Sequence, residues 1–255
     1  MQDRFSVAGR TACVTGASSG LGRAIATALA QAGVNVVGLA RREDALNAWR
    51  NEVAEGEATG NTAALAADLS DPDTMADVAK RVSAVFGAPD ILFNGAGVNL
   101  RQPADEVTAD GWKRTIDLNL STPFFLAQAL VPGMREKGWG RIVNFASLQT
   151  ERAFPAGIAY GASKGGIGQL TRAMAEAWSR HGILSNALAP GFFPTELTGP
   201  VFGNPETAAA NAAQTCIGRN GALDDLIGPA LFLCSRASDY VTGQILYVDG
   251  GFTAK

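Results

Sequence analysis

The sequence predicts a doubly wound α/β fold, in which helices cover both faces of a parallel sheet. Short apolar runs without polar alternation recur along the 255 residues, and segments with helical periodicity separate them. Strands that are buried on both faces show this continuous apolar pattern, whereas strands with one solvated face alternate. The pattern continues without a linker, so we expect one domain over residues 1–255 with a seven-stranded parallel sheet.

The predicted elements follow one another at regular intervals. The first strand, RTACVT at residues 10–15, precedes a glycine-rich turn and an alanine-rich helix that we expect to end at Gly33. The other predicted strands are residues 34–40, 61–67, 90–94, 141–146 and 183–189 and Ile245–Val248. Pro72 opens a helix, a long amphipathic segment covers residues 108–137, and a further helix covers residues 157–180.

In such a fold, ligands bind beyond the carboxyl ends of the parallel strands. The residues that follow predicted strands there are Gly16, Asp68, Asn94, Ser147 and Pro190. Residues 192–215 have the weakest helix or strand pattern and are rich in proline and glycine. Long loops of this kind often close over active sites, so we expect a mobile flap over the site.

Composition excludes several functions. A net charge of −3 gives no basic footprint for a nucleic acid, and no run approaches the length of a membrane span. The three cysteines have no metal-ligand spacing, and the single histidine, His181, lies in a polar helix end. We therefore expect no metal site, and a cytoplasmic protein without a signal peptide.

Tyr160 and Lys164 are four residues apart in the predicted helix, so their side chains meet on one face. A nearby positive charge favours the phenolate and moves the tyrosine pKa towards neutrality. Ser147 ends a buried strand and supplies a hydroxyl for a substrate oxygen. A tyrosine and a lysine at this spacing also occur on ordinary solvated helix faces. The pair indicates a catalytic site only in combination with the nucleotide loop upstream.

The nucleotide loop is the motif T-G-x-x-x-G-x-G, with Thr15, Gly16, Gly20 and Gly22 between a strand and a helix. Glycines there let the backbone approach a pyrophosphate, and the helix amides face the anion. A tight turn without a ligand is the alternative interpretation of the same residues.

The end of the second strand selects the dinucleotide. An acidic side chain there binds a ribose 2′-hydroxyl, but this chain has Ala40 followed by Arg41 and Arg42. A guanidinium favours a 2′-phosphate, so we predict NADP(H), with NAD(H) as the alternative. The two arginines would otherwise be the charged first turn of a solvated helix.

The chain resembles the short-chain dehydrogenase/reductase family over essentially its whole length. The motifs that carry the resemblance are TGASSGLG, Asp68 in AADLS, NGAG at residues 94–97, Asn119 in DLNL, Ser147, Tyr160 with Lys164, and Pro190-Gly191 with Thr195. One position departs from the family: Gly95 stands where a second asparagine is common. We expect this departure to change hydrogen bonding at the strand end without removing chemistry.

The resemblance implies a Rossmann-type fold, an oxidoreductase activity, a homotetramer and a catalytic tetrad of Asn119, Ser147, Tyr160 and Lys164. Tyr160 is the implied acid/base, Ser147 orients the reacting oxygen, Lys164 binds the nicotinamide ribose, and Asn119 holds a water of a proton relay. The implied cofactor-binding residues are Gly16, Ser18, Ser19, Gly20, Leu21, Gly22, Arg41, Asp68, Leu69, Asn94, Ala96, Gly97, Tyr160, Lys164, Pro190, Gly191 and Thr195.

Further segments resemble bacterial gluconate 5-dehydrogenases and related sugar-acid dehydrogenases, which implies a small polar substrate. Arg101 is then a candidate partner for the substrate carboxylate, or a surface arginine of a loop. Asn99, Gln149, Phe154 and Phe192 are the other candidate substrate residues. The alternatives are a 3-oxoacyl-carrier-protein reductase, a small-ketone carbonyl reductase and, more remotely, a non-catalytic dinucleotide-sensing regulator.

Overall fold

The computed structural model has seven strands in one all-parallel sheet, as the sequence predicts. It describes the backbone of residues 2–255 and the side-chain environments from residue 4 onwards. The strands are β1 (Thr11–Thr15), β2 (Asn35–Ala40), β3 (Thr62–Ala66), β4 (Ile91–Asn94), β5 (Gly140–Phe145), β6 (Ile183–Pro190) and β7 (Ile245–Val248). Their spatial order is β3-β2-β1-β4-β5-β6-β7.

The helices that connect the strands lie within the predicted helical segments, apart from the helix after β2 and those after β6. They are α1 (Gly20–Gln31), α2 (Glu43–Glu55), α3 (Met75–Phe86), α4 (Ala109–Ile116), α5 (Thr122–Lys137), α6 (Ile158–Trp178), α7 (Gly199–Phe202), α8 (Pro205–Gln214) and α9 (Ile227–Cys234). The long amphipathic segment is interrupted, because a π-helical turn at Asp117–Ser121 separates α4 from α5. Such turns are frequent at functional sites.

Both faces of the sheet are buried, which explains the continuous apolar runs. Neighbouring residues of β1 point to opposite sides, so Val14 packs with Trp49 of α2 in one hydrophobic cluster and Cys13 packs with Leu126 of α5 in the other. Fully buried side chains of this size contribute roughly 1.5–3 kcal/mol each through the apolar area removed from water. The two hydrophobic clusters cover both faces of the sheet, so the carboxyl edge of the sheet is where a binding site can form.

The strand order reverses direction between β1 and β4, and this switch point opens a crevice. The buried hydroxyl of Thr15, the last residue of β1, accepts hydrogen bonds from the backbone amides of Gly95 (2.9 Å) and Ala96 (3.0 Å) beyond β4. A Cβ atom at residue 95 would lie 2.5 Å from the carbonyl oxygen of Thr15. The departure at Gly95 therefore lets the ends of the two strands approach closely.

The segment after β6 differs from the prediction of an irregular flap, because it contains α7 and α8. The side chain of Asn204 accepts hydrogen bonds from the amides of Glu206 (2.9 Å) and Thr207 (3.1 Å), and Pro205 occupies the first turn of α8. These are favourable N-terminal signals for a helix, and the alanines that follow have high helix propensity.

Candidate active site

One cavity of about 700 Å³ lies at the carboxyl ends of the strands and brings together most of the residues predicted from the sequence. The predicted residues that line it are Gly16, Ser18, Ser19, Gly20, Leu21, Gly22, Arg41, Asp68, Leu69, Ala96, Gly97, Asn99, Arg101, Ser147, Gln149, Phe154, Tyr160, Lys164, Pro190, Gly191, Phe192 and Thr195. Two predicted residues, Asn94 and Asn119, lie behind its wall.

The glycine loop has the shape that a dinucleotide requires. Gly16 has a φ of +74°, and a Cβ atom there would lie 2.7 Å from the carbonyl oxygen of Gly95. A Cβ atom at Gly22 would lie 2.4 Å from the carbonyl oxygen of Gly16. These glycines keep the first amides of α1 accessible at the cavity, and such amides bind phosphate groups. The loop therefore fits the pyrophosphate of a dinucleotide.

Asn94, which the family resemblance implies as a cofactor-binding residue, does not line the cavity. It is buried at the end of β4, and its side-chain amide donates a 2.8 Å hydrogen bond to the side-chain oxygen of Asn144 in β5. The Nδ2 of Asn144 continues this chain to the hydroxyl of Thr171 in α6 at 3.0 Å. Asn94 therefore joins strand ends and the covering helix, and does not line the cavity.

Asn119 lies in the π-helical turn and supports the cavity wall. Its side-chain oxygen accepts from the amide of Val98 at 2.8 Å, and its amide donates to the carbonyl of Val98 at 2.9 Å and to Ser163 at 3.1 Å. The Ser163 hydroxyl in turn donates to the carbonyl of Tyr160 at 2.7 Å. Asn119 thus links the loop after β4 to the helix turn that carries Tyr160.

The pair Tyr160 and Lys164 occupies the first two turns of α6, and the ammonium lies 5.6 Å from the centre of the phenol ring. The spacing of four residues predicts this neighbourhood. Lys164 is only 5 % exposed and donates a 2.6 Å hydrogen bond to the carbonyl of Phe145 at the end of β5. Burial lowers the pKa of Lys164 to about 8, so the ammonium form predominates at neutral pH.

The pKa of Tyr160 differs from the expectation of a lowered value. Burial of the phenol raises the pKa above its usual value, and this effect outweighs hydrogen bonding with the Ser147 hydroxyl and the positive charge of Arg101, which both lower it. The phenol is therefore protonated at neutral pH in this protein. A protonated phenol beside a hydroxyl is arranged to donate a proton to a carbonyl oxygen.

Ser147 is held by the backbone turn that follows β5. It is the N-terminal cap of the short 3₁₀ turn Leu148–Thr150, and its hydroxyl accepts from the amide of Gln149 at 3.2 Å. Its own amide donates to the hydroxyl of Thr150 at 3.2 Å. The serine therefore enters the cavity from a fixed position opposite α6.

Arg101 adopts a left-handed backbone conformation with a φ of +53°, which is uncommon for a residue with a side chain. Its guanidinium donates to the carbonyl of Leu197 at 3.2 Å and acts electrostatically on Tyr160. The side chain is exposed, yet it joins the loop after β4 to the segment that follows β6. The structure thus brings Arg101 to the reacting end of the cavity.

Arg42 lines the cavity beside the predicted Arg41 and contacts the glycine loop. Its Nη2 donates to the hydroxyl of Ser19 at 2.9 Å and of Ser18 at 3.3 Å. Both arginines are exposed, and the charge of Arg41 contributes to the lowered pKa of Asp68, for which hydrogen bonds from Ser70 are the main cause. Arg42 is the N-terminal cap residue of α2 and has an extended backbone conformation.

Phe154 and Phe192 line the cavity, and Phe252 packs against both rings. The ring centres of Phe154 and Phe192 are 6.1 Å apart, and Phe252 lies 6.2 Å from Phe154 and 5.7 Å from Phe192. Edge-to-face and stacked contacts at these distances are favourable beyond the apolar area that they bury. Phe252 comes from the last turn of the chain, and no local pattern in the sequence relates it to the cavity.

The residues that the structure describes contain no cluster of histidine, cysteine, aspartate and glutamate able to hold a metal ion. Over the same residues, no helix is both long enough and apolar enough to cross a membrane.

Comparisons with known proteins agree with this geometry. A family model described as enoyl-(acyl carrier protein) reductase, a model of short-chain dehydrogenases/reductases, matches residues 16–253. The chain is 40% identical over 252 residues to a gluconate 5-dehydrogenase of Gluconobacter oxydans, covering 98% of this chain and 97% of the relative. It is 39% identical to a 2-dehydro-3-deoxy-D-gluconate 5-dehydrogenase of Pseudoalteromonas atlantica, over all of both chains.

A solved structure shows the same fold. The crystal structure of a gluconate 5-dehydrogenase from Burkholderia cenocepacia, in complex with NADP and tartrate, superimposes with a TM-score of 0.93 at 37% identity. The match covers 99% of this chain and 98% of that one.

Proposed function

Because the chain belongs to the short-chain dehydrogenase/reductase family, we propose that it is an NADP(H)-dependent oxidoreductase that interconverts a secondary alcohol and a ketone of a sugar acid. The observation that carries this proposal is that Ser147, Tyr160 and Lys164 line the same cavity as the glycine loop. We also propose that residues 1–255 form a single unit with both the cofactor site and the substrate site.

The side chains divide the work between binding and proton transfer. The nicotinamide cofactor supplies or accepts the hydride at the substrate carbon. In ketone reduction, Tyr160 donates its proton to the carbonyl oxygen, and Ser147 donates a hydrogen bond that holds this oxygen. The raised pKa of Tyr160 keeps the phenol protonated for this direction. In alcohol oxidation, the same phenol must first lose its proton.

Lys164 contributes a buried positive charge beside the phenol ring and a donor for the ribose of the cofactor. Its ammonium stabilises the phenolate that forms when Tyr160 gives up its proton. Asn119 positions these groups through Val98 and Ser163, and thereby supports the predicted proton relay.

The preference for NADP(H) rests on the surroundings of the second strand's end. Ala40 leaves the space that an acidic side chain would fill, and Arg42 reaches the hydroxyls of Ser18 and Ser19 beside it. A guanidinium and two hydroxyls supply the donors that a 2′-phosphate requires. NAD(H), without this phosphate, is the less favoured alternative.

A sugar acid fits the reacting end of the cavity because Arg101 supplies a positive charge there. The same guanidinium that acts electrostatically on Tyr160 is available to a substrate carboxylate, and Asn99 and Gln149 add polar groups to the lining. Both curated relatives described above act, by their names, on gluconate or a deoxygluconate derivative. We infer a substrate with a carboxylate and several hydroxyls.

We further propose a cytoplasmic homotetramer. The strand β7 lies at one edge of the sheet and has an apolar sequence, ILYV, with Leu246 38 % exposed. An apolar edge strand offers unpaired backbone groups to a second copy of the chain. The three cysteines are free thiols, which is consistent with a reducing compartment.

A substrate screen tests the proposed activity. Purified protein is mixed with NADP⁺ or NAD⁺ and D-gluconate, and with NADPH or NADH and 5-keto-D-gluconate, while cofactor absorbance is followed. Neutral polyols, neutral ketoses, bulky apolar ketones and a 3-oxoacyl thioester form the comparison set. We expect turnover of the sugar acids with NADP(H). Turnover of the thioester or of apolar ketones alone would assign a different substrate class.

A further inference from the structure

The anion-binding groups at the glycine loop are engaged by a carboxylate from the chain itself. Glu196 lies in the segment after β6 and accepts from both terminal nitrogens of Arg42, at 3.2 Å and 2.9 Å. The hydroxyl of Ser19 donates to the same carboxylate at 3.0 Å. Arg42 and Ser19 are two of the three donors to which the proposed function assigns the 2′-phosphate, the third being Ser18.

Carboxylates and phosphates use a guanidinium in the same way, through two parallel hydrogen bonds in a planar fork. The pair of contacts from Arg42 to Glu196 has this bidentate form. Hydrogen bonds from Arg42 and Ser19 also lower the pKa of Glu196, so the carboxylate is charged at neutral pH. Two such anions cannot share one guanidinium and one hydroxyl without strong repulsion.

The backbone presents Glu196 from an ordered turn. The amide of Thr195 donates to the hydroxyl of Thr198 at 2.9 Å, and the amide of Thr198 donates to the carbonyl of Thr195 at 3.2 Å. Leu197 in this turn accepts the hydrogen bond from Arg101. The turn Thr195–Thr198 is therefore tied to one arginine at the cofactor end of the cavity and to another at its reacting end.

We propose that Glu196 is a specificity-determining residue that competes with the 2′-phosphate of NADP(H) for Arg42 and Ser19. The inference rests on the proposed NADP(H) preference and adds a free-energy cost to the binding of NADP(H). NADP(H) must separate Glu196 from Arg42, whereas NAD(H), which has a hydroxyl at this position, leaves the pair in place. Glu196 thus narrows the difference in affinity between the two cofactors.

The test compares Glu196→Gln with Glu206→Gln by isothermal titration of NADP⁺ and NAD⁺. Glu206 is an exposed glutamate in the first turn of α8, on the same segment, so its variant carries the same change in net charge. Arg42 and Glu196 are both more than half exposed, and such pairs contribute at most about 1 kcal/mol. We therefore expect Glu196→Gln to bind NADP⁺ about fivefold more tightly, with the affinity for NAD⁺ changed by less than about twofold.

Two further measurements locate the effect. Adenosine 2′,5′-bisphosphate should gain the same factor as NADP⁺ in Glu196→Gln, whereas AMP should not. In the background of Arg42→Ala, the replacement of Glu196 should change the affinity for NADP⁺ by a smaller factor, because only the contact with Ser19 remains. These results would place the competition at the 2′-phosphate and at this arginine.

Unchanged or weaker binding of NADP⁺ by Glu196→Gln would overturn the inference, because Glu196 would then have no effect on NADP⁺ affinity or would favour binding. Equal gains for NADP⁺ and NAD⁺ would also overturn it. A failure of the proposed cofactor preference would show differently, as equal affinities of the unmodified protein for the two dinucleotides.

Discussion

The buried ammonium of Lys164 should make the free energy of unfolding depend on pH, and the substitution Lys164→Met should remove this contribution. The pKa of this group is about 8 in the folded protein and near the ordinary 10.5 in the unfolded chain. Between these values the unfolded chain binds more protons than the folded protein, so the free energy of unfolding rises with pH. Below about pH 8 both states are protonated, and the full cost of burying the charge is present.

Proton linkage with these two pKa values gives the magnitude. From about pH 7 to about pH 9.5, Lys164 alone should raise the free energy of unfolding by about 2 kcal/mol. The substitution Lys164→Met retains an apolar stem of similar length and removes the titrating group. Other groups titrate over the same range, so the relevant quantity is the difference between the two proteins.

Urea unfolding at the two pH values measures this difference. We expect the unmodified protein to gain about 2 kcal/mol more than Lys164→Met between them. Lys80→Met is the matched control, because Lys80 is 79 % exposed on α3 and should leave the pH dependence unchanged. Parallel pH dependence of the unmodified protein and Lys164→Met would refute the conclusion that this ammonium is buried and destabilised.

Three other predictions concern the arginines of the cavity. Arg42→Ala should weaken NADP⁺ binding about tenfold while hardly changing NAD⁺ binding, since it removes a charged donor, and Arg41→Ala should weaken NADP⁺ binding less. Titration of both cofactors into both variants checks this, and a larger loss in Arg41→Ala would assign binding of the 2′-phosphate to Arg41. Arg101→Ala should raise the Tyr160 pKa and move the basic limb of alcohol oxidation to higher pH, whereas Arg101→Lys should retain it. The KM of Arg101→Ala for a sugar acid should rise about two- to fivefold more than that for a neutral polyol, as expected for an exposed pair. Equal KM increases would remove Arg101 from carboxylate binding.

The fold could be predicted because its signals are local. The seven strands appear as seven apolar runs, although the edge strands β3 and β7 are only partly buried. The observed strand ends differ from the predicted ones by one residue or agree with them. The pair of Tyr160 and Lys164 was equally accessible, since four residues span about one helical turn whatever surrounds the helix.

The properties that sequence analysis missed depend on tertiary packing. The contact of Arg42 with Ser19 forms from an extended backbone, with φ −82° and ψ 97° at Arg42, which the sequence does not specify. The raised pKa of Tyr160 follows from burial, which a linear pattern does not reveal. Phe252 packs against the cavity-lining rings of Phe154 and Phe192 only because β7 brings the last turn of the chain back beside them.

The helices of the segment after β6 also depend on contacts that local composition does not reveal. Proline and glycine indicated an irregular loop, but Asn204 and Pro205 start α8, and Glu196 fixes the preceding turn to Arg42. The second of these contacts joins residues 154 positions apart in the chain. A contact of that range has no signature in local composition.

The most direct test of the account is the reaction of the variant Tyr160→Phe with NADPH and 5-keto-D-gluconate. The substitution keeps the ring and removes only the proton that Tyr160 transfers. We expect turnover to fall by about 100-fold or more, while the Kd for NADPH from titration changes little, because the glycine loop is untouched. Turnover close to that of the unmodified protein would contradict the assignment of Tyr160 as the acid/base and, with it, the proposed mechanism.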